Sequence, residues 1–138
     1  MRTLKLSFLA VVATLMMGTS CKKYEEGPSF SLISKKARIS NTWTIEKTVA
    51  SNGTVTEWSA SDRDAYTLEM KKDGTYTTKY NFGSTTLEGT GTWEFGDKKE
   101  SVITRADGTS NEVDIILLKN KEWGTKDKDG NKTYYIEK

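Results

Sequence analysis

The sequence contains no histidine, one cysteine and one proline in 138 residues. Each scarcity removes a class of function. Without histidine there is no Ser-His-Asp or Cys-His nucleophilic system, no histidine-based zinc site and no haem held in the commonest way. With Cys21 alone, no disulfide can close within the chain. Long apolar stretches are also scarce. The one extended run covers residues 6–17 (LSFLAVVATLMM), and a membrane-spanning helix needs about 20 such residues. Any catalysis would have to rest on carboxylates, lysine or tyrosine. The acidic pair Asp62 and Asp64 around Arg63 reads as an alternating-charge surface loop. We therefore expect no enzyme, no catalytic residue, no metal ligand set and no cofactor.

The apolar run sits in a recognisable setting. Arg2 and Lys5 precede it, and the small residues Gly18, Thr19 and Ser20 lead from it to Cys21. A basic start, an apolar centre and a small-residue exit predict a signal peptide over residues 1–20. Cleavage before Cys21 would leave either a free thiol or a lipid-modified cysteine. Gly18-Thr19-Ser20-Cys21 resembles a lipobox, with Gly18 where leucine is commonest. A thioether to diacylglycerol also consumes the odd thiol, which favours Cys21 as the lipid attachment site. Each buried CH₂ contributes about 0.8 kcal/mol, so two or more acyl chains hold stably. Residues 21–31 then read as lipidated cysteine and tether. At about 3.5 Å per residue, residues 22–31 reach roughly 35 Å. The Cys-Lys-Lys start followed by Glu25-Glu26 resembles lipoproteins of the Bacteroidetes, in which such acids can mark export to the surface. The expectation is an outer-membrane lipoprotein facing periplasm or cell surface, with the membrane as a partner through its anchor.

Charge excludes another class. Loss of Arg2 and Lys5 with the leader brings 21 basic residues to 19, against 19 acidic ones. The mature chain is then near neutral, with no basic field for nucleic acid.

Residues 32–138 suit one domain. A helical turn is expected over residues 31–39, with Leu32, Ile33, Lys36 and Ile39 on one face and Ser29 or Ser31 as cap. Beyond residue 40 threonines and aromatics rise, and Asn52-Gly53, Asp73-Gly74, Asp107-Gly108 and Asp129-Gly130 recur as hairpin turns. Gly83, Gly89 and Gly96 read as further breaks. Alternating runs predict strands at residues 66–71, 75–82 and 91–95, with others at 101–105, 112–118, 122–126 and 132–138. The nearly continuous apolar run 113–118 implies burial on both faces or a bend. With no helix between them, about eight such strands make an antiparallel up-and-down meander. Closure into a small barrel would remove its edges; an open sandwich is the alternative.

One order of motifs carries a family resemblance. Asn41-Thr42-Trp43 opens the first strand after the helical turn. Lys71-Lys72-Asp73-Gly74-Thr75-Tyr76, Gly91-Thr92-Trp93-Glu94-Phe95 and Lys121-Glu122-Trp123 with Asp129-Gly130-Asn131 follow. This series resembles the lipocalin-like domain of Bacteroidetes lipoproteins over residues 32–138, with Asn41 where the lipocalin signature has glycine. The resemblance implies an all-β lipocalin-like barrel that binds a ligand. Lipocalins also pair the first-strand tryptophan with an arginine from a late strand. The last strand here offers only Lys132 and Lys138, so that lock is missing or made otherwise.

Tyr66, Tyr76, Tyr80, Phe82, Trp93, Phe95, Trp123 and Tyr135 are the aromatics that could line a pocket, and Tyr66, Tyr80, Phe82, Trp93 and Trp123 are taken as the candidate ligand-binding residues. They would suit a small apolar or amphipathic molecule. Plain core packing is the competing reading, because eight strands enclose a space that side chains can just fill. In that case function would move to the loops, with Trp58 as the candidate contact for an envelope protein partner. Asp127-Lys128-Asp129-Gly130-Asn131 resembles a calcium loop, but its glycine comes early and no bidentate glutamate follows, so it reads as a hairpin turn.

Overall fold

The computed structural model describes residues 34–138. Residues 1–33, on which the expected signal peptide, the lipid attachment at Cys21, the tether and Ser29 to Ile33 fall, lie outside the described residues. The remainder runs α1 (Lys35–Ile39), β1 (Thr42–Val49), β2 (Val55–Glu57), α2 (Ala60–Ala65), β3 (Tyr66–Met70), β4 (Thr75–Phe82), β5 (Thr85–Phe95), β6 (Ser101–Ala106), β7 (Thr109–Leu118), β8 (Glu122–Lys126) and β9 (Lys132–Glu137). β1 pairs antiparallel with both β2 and β3, each strand from β3 onward pairs antiparallel with the next, and β9 returns to β1 through Trp43↔Glu137 to Val49↔Lys132. The sheet thus closes, and no open sandwich forms.

The barrel has eight staves although nine strands are counted. β2 and β3 lie along the same edge of β1: Glu57 faces Lys47, and Leu68 faces Trp43. Between them α2 bulges out, so one stave is split by a helical turn. This corrects the expectation of no helix between strands. Residues 60–65 carry little apolar patterning, and the signal was the cap: Ser59 Oγ accepts from Asp62 N at 3.2 Å. At the other face Thr44 Oγ1 donates to the Arg63 carbonyl at 2.7 Å, fastening the insertion to β1.

Turns and strands follow their chemistry. Gly53, Gly74, Gly108 and Gly130 take φ of 91°, 88°, 76° and 87°, a region open to glycine at little cost. Asn52 and Asp73 side chains accept from the amides of Thr54 and Thr75, two residues on. The apolar run in β7 resolves as a bend: pairing with β8 slips between Ile115 and Leu117. The bulge lets consecutive Ile115 and Ile116 both be buried. Gly89, expected as a break, lies inside β5. Its partner Thr78 would sit only 3.0 Å from a Cβ at that site.

One end of the barrel is plugged. α1 begins at Ser34, whose Oγ accepts from Ala37 N, and not at Ser29 or Ser31. Of the expected face, Leu32 and Ile33 lie outside the described residues, Ile39 is buried and Lys36 is exposed; Lys35 and Arg38 are also buried, each with a partner. Arg38 donates to the Leu118 carbonyl at 2.6 Å, and Lys35 Nζ to the Lys99 carbonyl at 3.0 Å. The Trp43 indole N–H donates to the Ile39 carbonyl at 2.9 Å. The helix and its arginine therefore fasten the first-strand tryptophan's end of the barrel, without an arginine from the last strand. Ile39, Trp43 and Leu118 are fully buried there.

Candidate functional site

Away from that plug the barrel is not filled. A cavity of about 350 Å³ opens at the opposite end, within the lower size range of small-molecule sites. Strand alternation decides what faces it. From β3 come Tyr66, Leu68 and Met70, and from β4 Tyr76 and Thr78. β6 and β7 supply Val102, Thr104, Asn111 and Val113. β8 and β9 add Trp123, Thr125, Thr133 and Tyr135, and the β8–β9 turn adds Asp127 and Asn131. β5 contributes Gly91 opposite Tyr76. A Cβ at Gly91 would collide with the Arg105 carbonyl and come within 2.7 Å of the Tyr76 ring. Glycine there lets the Tyr76 ring lie against the β5 backbone.

The walls are graded. Aromatic and aliphatic groups crowd the deep part, where Trp123 and Tyr135 stack with centroids 4.7 Å apart and Trp123 meets Trp43 at 6.2 Å. Trp123 is 3% exposed, and its indole N–H finds no acceptor. Threonines, asparagines and one carboxylate form the mouth. Asp127 is held by its own turn: Oδ1 accepts from the amides of Asp129 and Asn131, both at 2.9 Å, and Oδ2 from Asn131 Nδ2 at 3.2 Å. Those bonds, the Asn131 amide first, hold its carboxyl below the usual range. The segment 127–131 is the β8–β9 hairpin turn. Asn131 Oδ1 also accepts from Ser51 N at 3.0 Å, tying this turn to the β1–β2 turn.

Three phenols share the space. Burial pushes the Tyr135 hydroxyl strongly upward, with Tyr66 adding to the shift. Burial also raises Tyr66, with Tyr76 adding. The residual exposure of Tyr135 is to the cavity it lines.

The candidate residues separate into groups. Tyr66 and Trp123 line the cavity. Trp93 does not: it is 5% exposed in the core, with its indole N–H on the Lys71 carbonyl and its ring edge-on to Phe95. Tyr80 and Phe82 continue the inward row of β4 beyond the cavity. Their rings lie 4.3 Å apart, and Tyr80 meets Tyr66 at 6.4 Å. Phe82 is 54% exposed and Leu87, paired beside Tyr80, 58%. Trp58 joins the same row, edge-on to Tyr66 at 5.8 Å and half-buried. The result is an aromatic ladder, Trp58–Tyr66–Tyr80–Phe82, running from the cavity wall to the overhanging β4–β5 hairpin. Among the described residues β3 pairs with β4 only as far as Tyr80, and β6 with β5 only from Thr92. The hairpin tip thus projects past its neighbours. Tyr76 and Tyr135, from the wider set of aromatics, also line the cavity, whereas the polar mouth was not singled out in the sequence. The inward parity of residues 76 and 78 was legible, but the parity of β9 depends on a bulge opposite Ile45 and Lys47. Asp62 and Asp64 are exposed on α2, where Asp62 accepts from the Ser59 hydroxyl at 2.7 Å.

A closed antiparallel barrel of eight staves, plugged at one end by a short helix and open at the other, is a lipocalin-like barrel. Solved structures share it. A lipocalin-like protein from Bacteroides uniformis superposes with a TM-score of 0.62 at 8% identity, over 73% of this chain and 99% of that one. An uncharacterized protein from Bacteroides eggerthii gives 0.59 at 10% identity, over 72% and 99%. At such identities the likeness is one of fold. No family model matches the chain, and no curated protein matches it.

Proposed function

We propose that this protein is a lipid-anchored carrier at the cell envelope, holding a small apolar or amphipathic molecule in the barrel. The observation that supports this most is the open cavity of about 350 Å³ with an aromatic deep wall and a polar mouth. A filled interior would leave only the loops for function; here Trp58, the residue proposed for a protein contact, is half-spent on Tyr66. Capture requires no bond chemistry. Apolar area leaves water at about 25 cal/mol per Å², and the ladder from Phe82 to Tyr66 offers a continuous path inward. Cys21 and its tether would keep the barrel at the outer membrane, towards periplasm or surface.

Native mass spectrometry of the full chain after incubation with a bacterial lipid extract tests the reading. A retained adduct that vanishes on unfolding is expected. Bare protein at every gentle ionisation setting would remove the carrier reading. It would favour an interaction module using the exposed Phe82 and Leu87, to be sought by crosslinking to envelope proteins.

A further inference from the structure

The chemistry of the cavity wall narrows the cargo, an inference that rests on the carrier reading. Among the described residues that line the cavity there is no lysine or arginine. The one charged group is Asp127, at the mouth. Basic side chains are not scarce nearby, but strand parity sends them outward. Lys126 pairs with Lys132 in the register where Thr125 and Thr133 point inward. Arg105 is turned out to Glu94 at 2.7 Å. Lys47 lies over the Tyr134 ring on the outer face.

We propose that the barrel selects cargo without negative charge: a neutral molecule, or one with a cationic head, whose aromatic or aliphatic body enters first. An anionic head placed deep would be buried without a counter-ion, which is costly. Placed at the mouth it would face the Asp127 carboxylate, which the Asn131 and Asp129 amides hold in its ionised form. The tyrosines report the same field, since burial raises Tyr66 and Tyr135 by disfavouring their anions. Kept protonated, their hydroxyls are donors for an uncharged oxygen or nitrogen. A carboxylate, sulfonate or phosphate ligand would need a lysine or arginine that the wall does not supply.

Two fluorescent probes with one skeleton separate the possibilities. N-phenyl-1-naphthylamine is neutral, and 8-anilinonaphthalene-1-sulfonate adds one negative charge. Titration of the native full chain near pH 7 is expected to show the neutral probe binding roughly tenfold or more tightly. Asp127→Asn should narrow the gap by strengthening the sulfonate without altering the neutral probe. Because that change touches a structural turn, Thr104→Lys on the β6 wall provides a second arm and should reverse the preference. Equal or tighter binding of the sulfonate by the unaltered chain overturns the charge selection and leaves the carrier reading standing. Binding of neither probe, together with bare protein in the native spectra, overturns both.

Discussion

Tyr135 shows how one side chain can report on a whole interior. Its ring stacks on Trp123 at the cavity wall, and burial raises its hydroxyl's pKa above the ordinary value of 10.0. A raised value means that the folded state holds the proton more tightly than the unfolded chain does. The associated stability is complete below about pH 10 and is lost as pH rises above it. Thermal midpoints should therefore be flat from about pH 7 to 9 and fall above about pH 10. Tyr135→Phe should lessen that fall while changing neutral-pH stability by no more than about 1 kcal/mol. An unchanged alkaline slope in the variant would show that the hydroxyl is not sequestered. At this scale the sequence was legible only in part. Residue type marked Tyr66 and Trp123 as candidates, and both line the cavity. Trp93 has the same aromatic signature and the same alternation and shares the core cluster with Trp123, yet it does not line the cavity. Depth along the barrel axis separates them, and a local pattern carries no information about depth.

Among the elements, α1 does more than its five residues suggest. It closes one end through Ile39, Arg38 and Lys35, and without it that end would lie open around Trp43. Ile39 is fully buried, so Ile39→Ala should cost about 2–5 kcal/mol. Urea denaturation followed by tryptophan fluorescence measures this, and a loss below about 1 kcal/mol would show that the plug is loosely held. Several strands were readable to their ends: residues 75–82 and 122–126 are β4 and β8 as expected. β5 was not. Thr85–Thr90 is exposed throughout and contains Gly89, so no alternation of burial marks it as strand. Pairing with β4 alone holds it extended. The split stave was equally hidden, because β2 and β3 are joined only by their common neighbour β1.

For the whole molecule the proposals join an anchored end to a cavity-bearing barrel. Cys21→Ser should move the protein from the membrane fraction to the soluble fraction of a lipoprotein-processing bacterium, with the fold of residues 34–138 unchanged by circular dichroism. Retention in the membrane fraction after salt washing would overturn the anchor. Binding of the neutral probe should survive this substitution, because nothing in the cavity wall depends on the lipid.

The order of turns, the alternation of strands and the scarcity of helical pattern were enough to determine an all-β antiparallel meander. These features act between residues a few positions apart and are visible in the chain. The pairing of β9 with β1 closes the meander into a barrel. Whether that barrel is solid or hollow was decided only in three dimensions. It depends on the register slips at Ile115/Leu117 and Ile45/Lys47 and on the close approach of Tyr76 to Gly91. It depends equally on which rings reach the plug and which stop short of it. Those are packing outcomes between residues far apart in sequence, and a shift of one residue in any stave would exchange its inward face for its outward one.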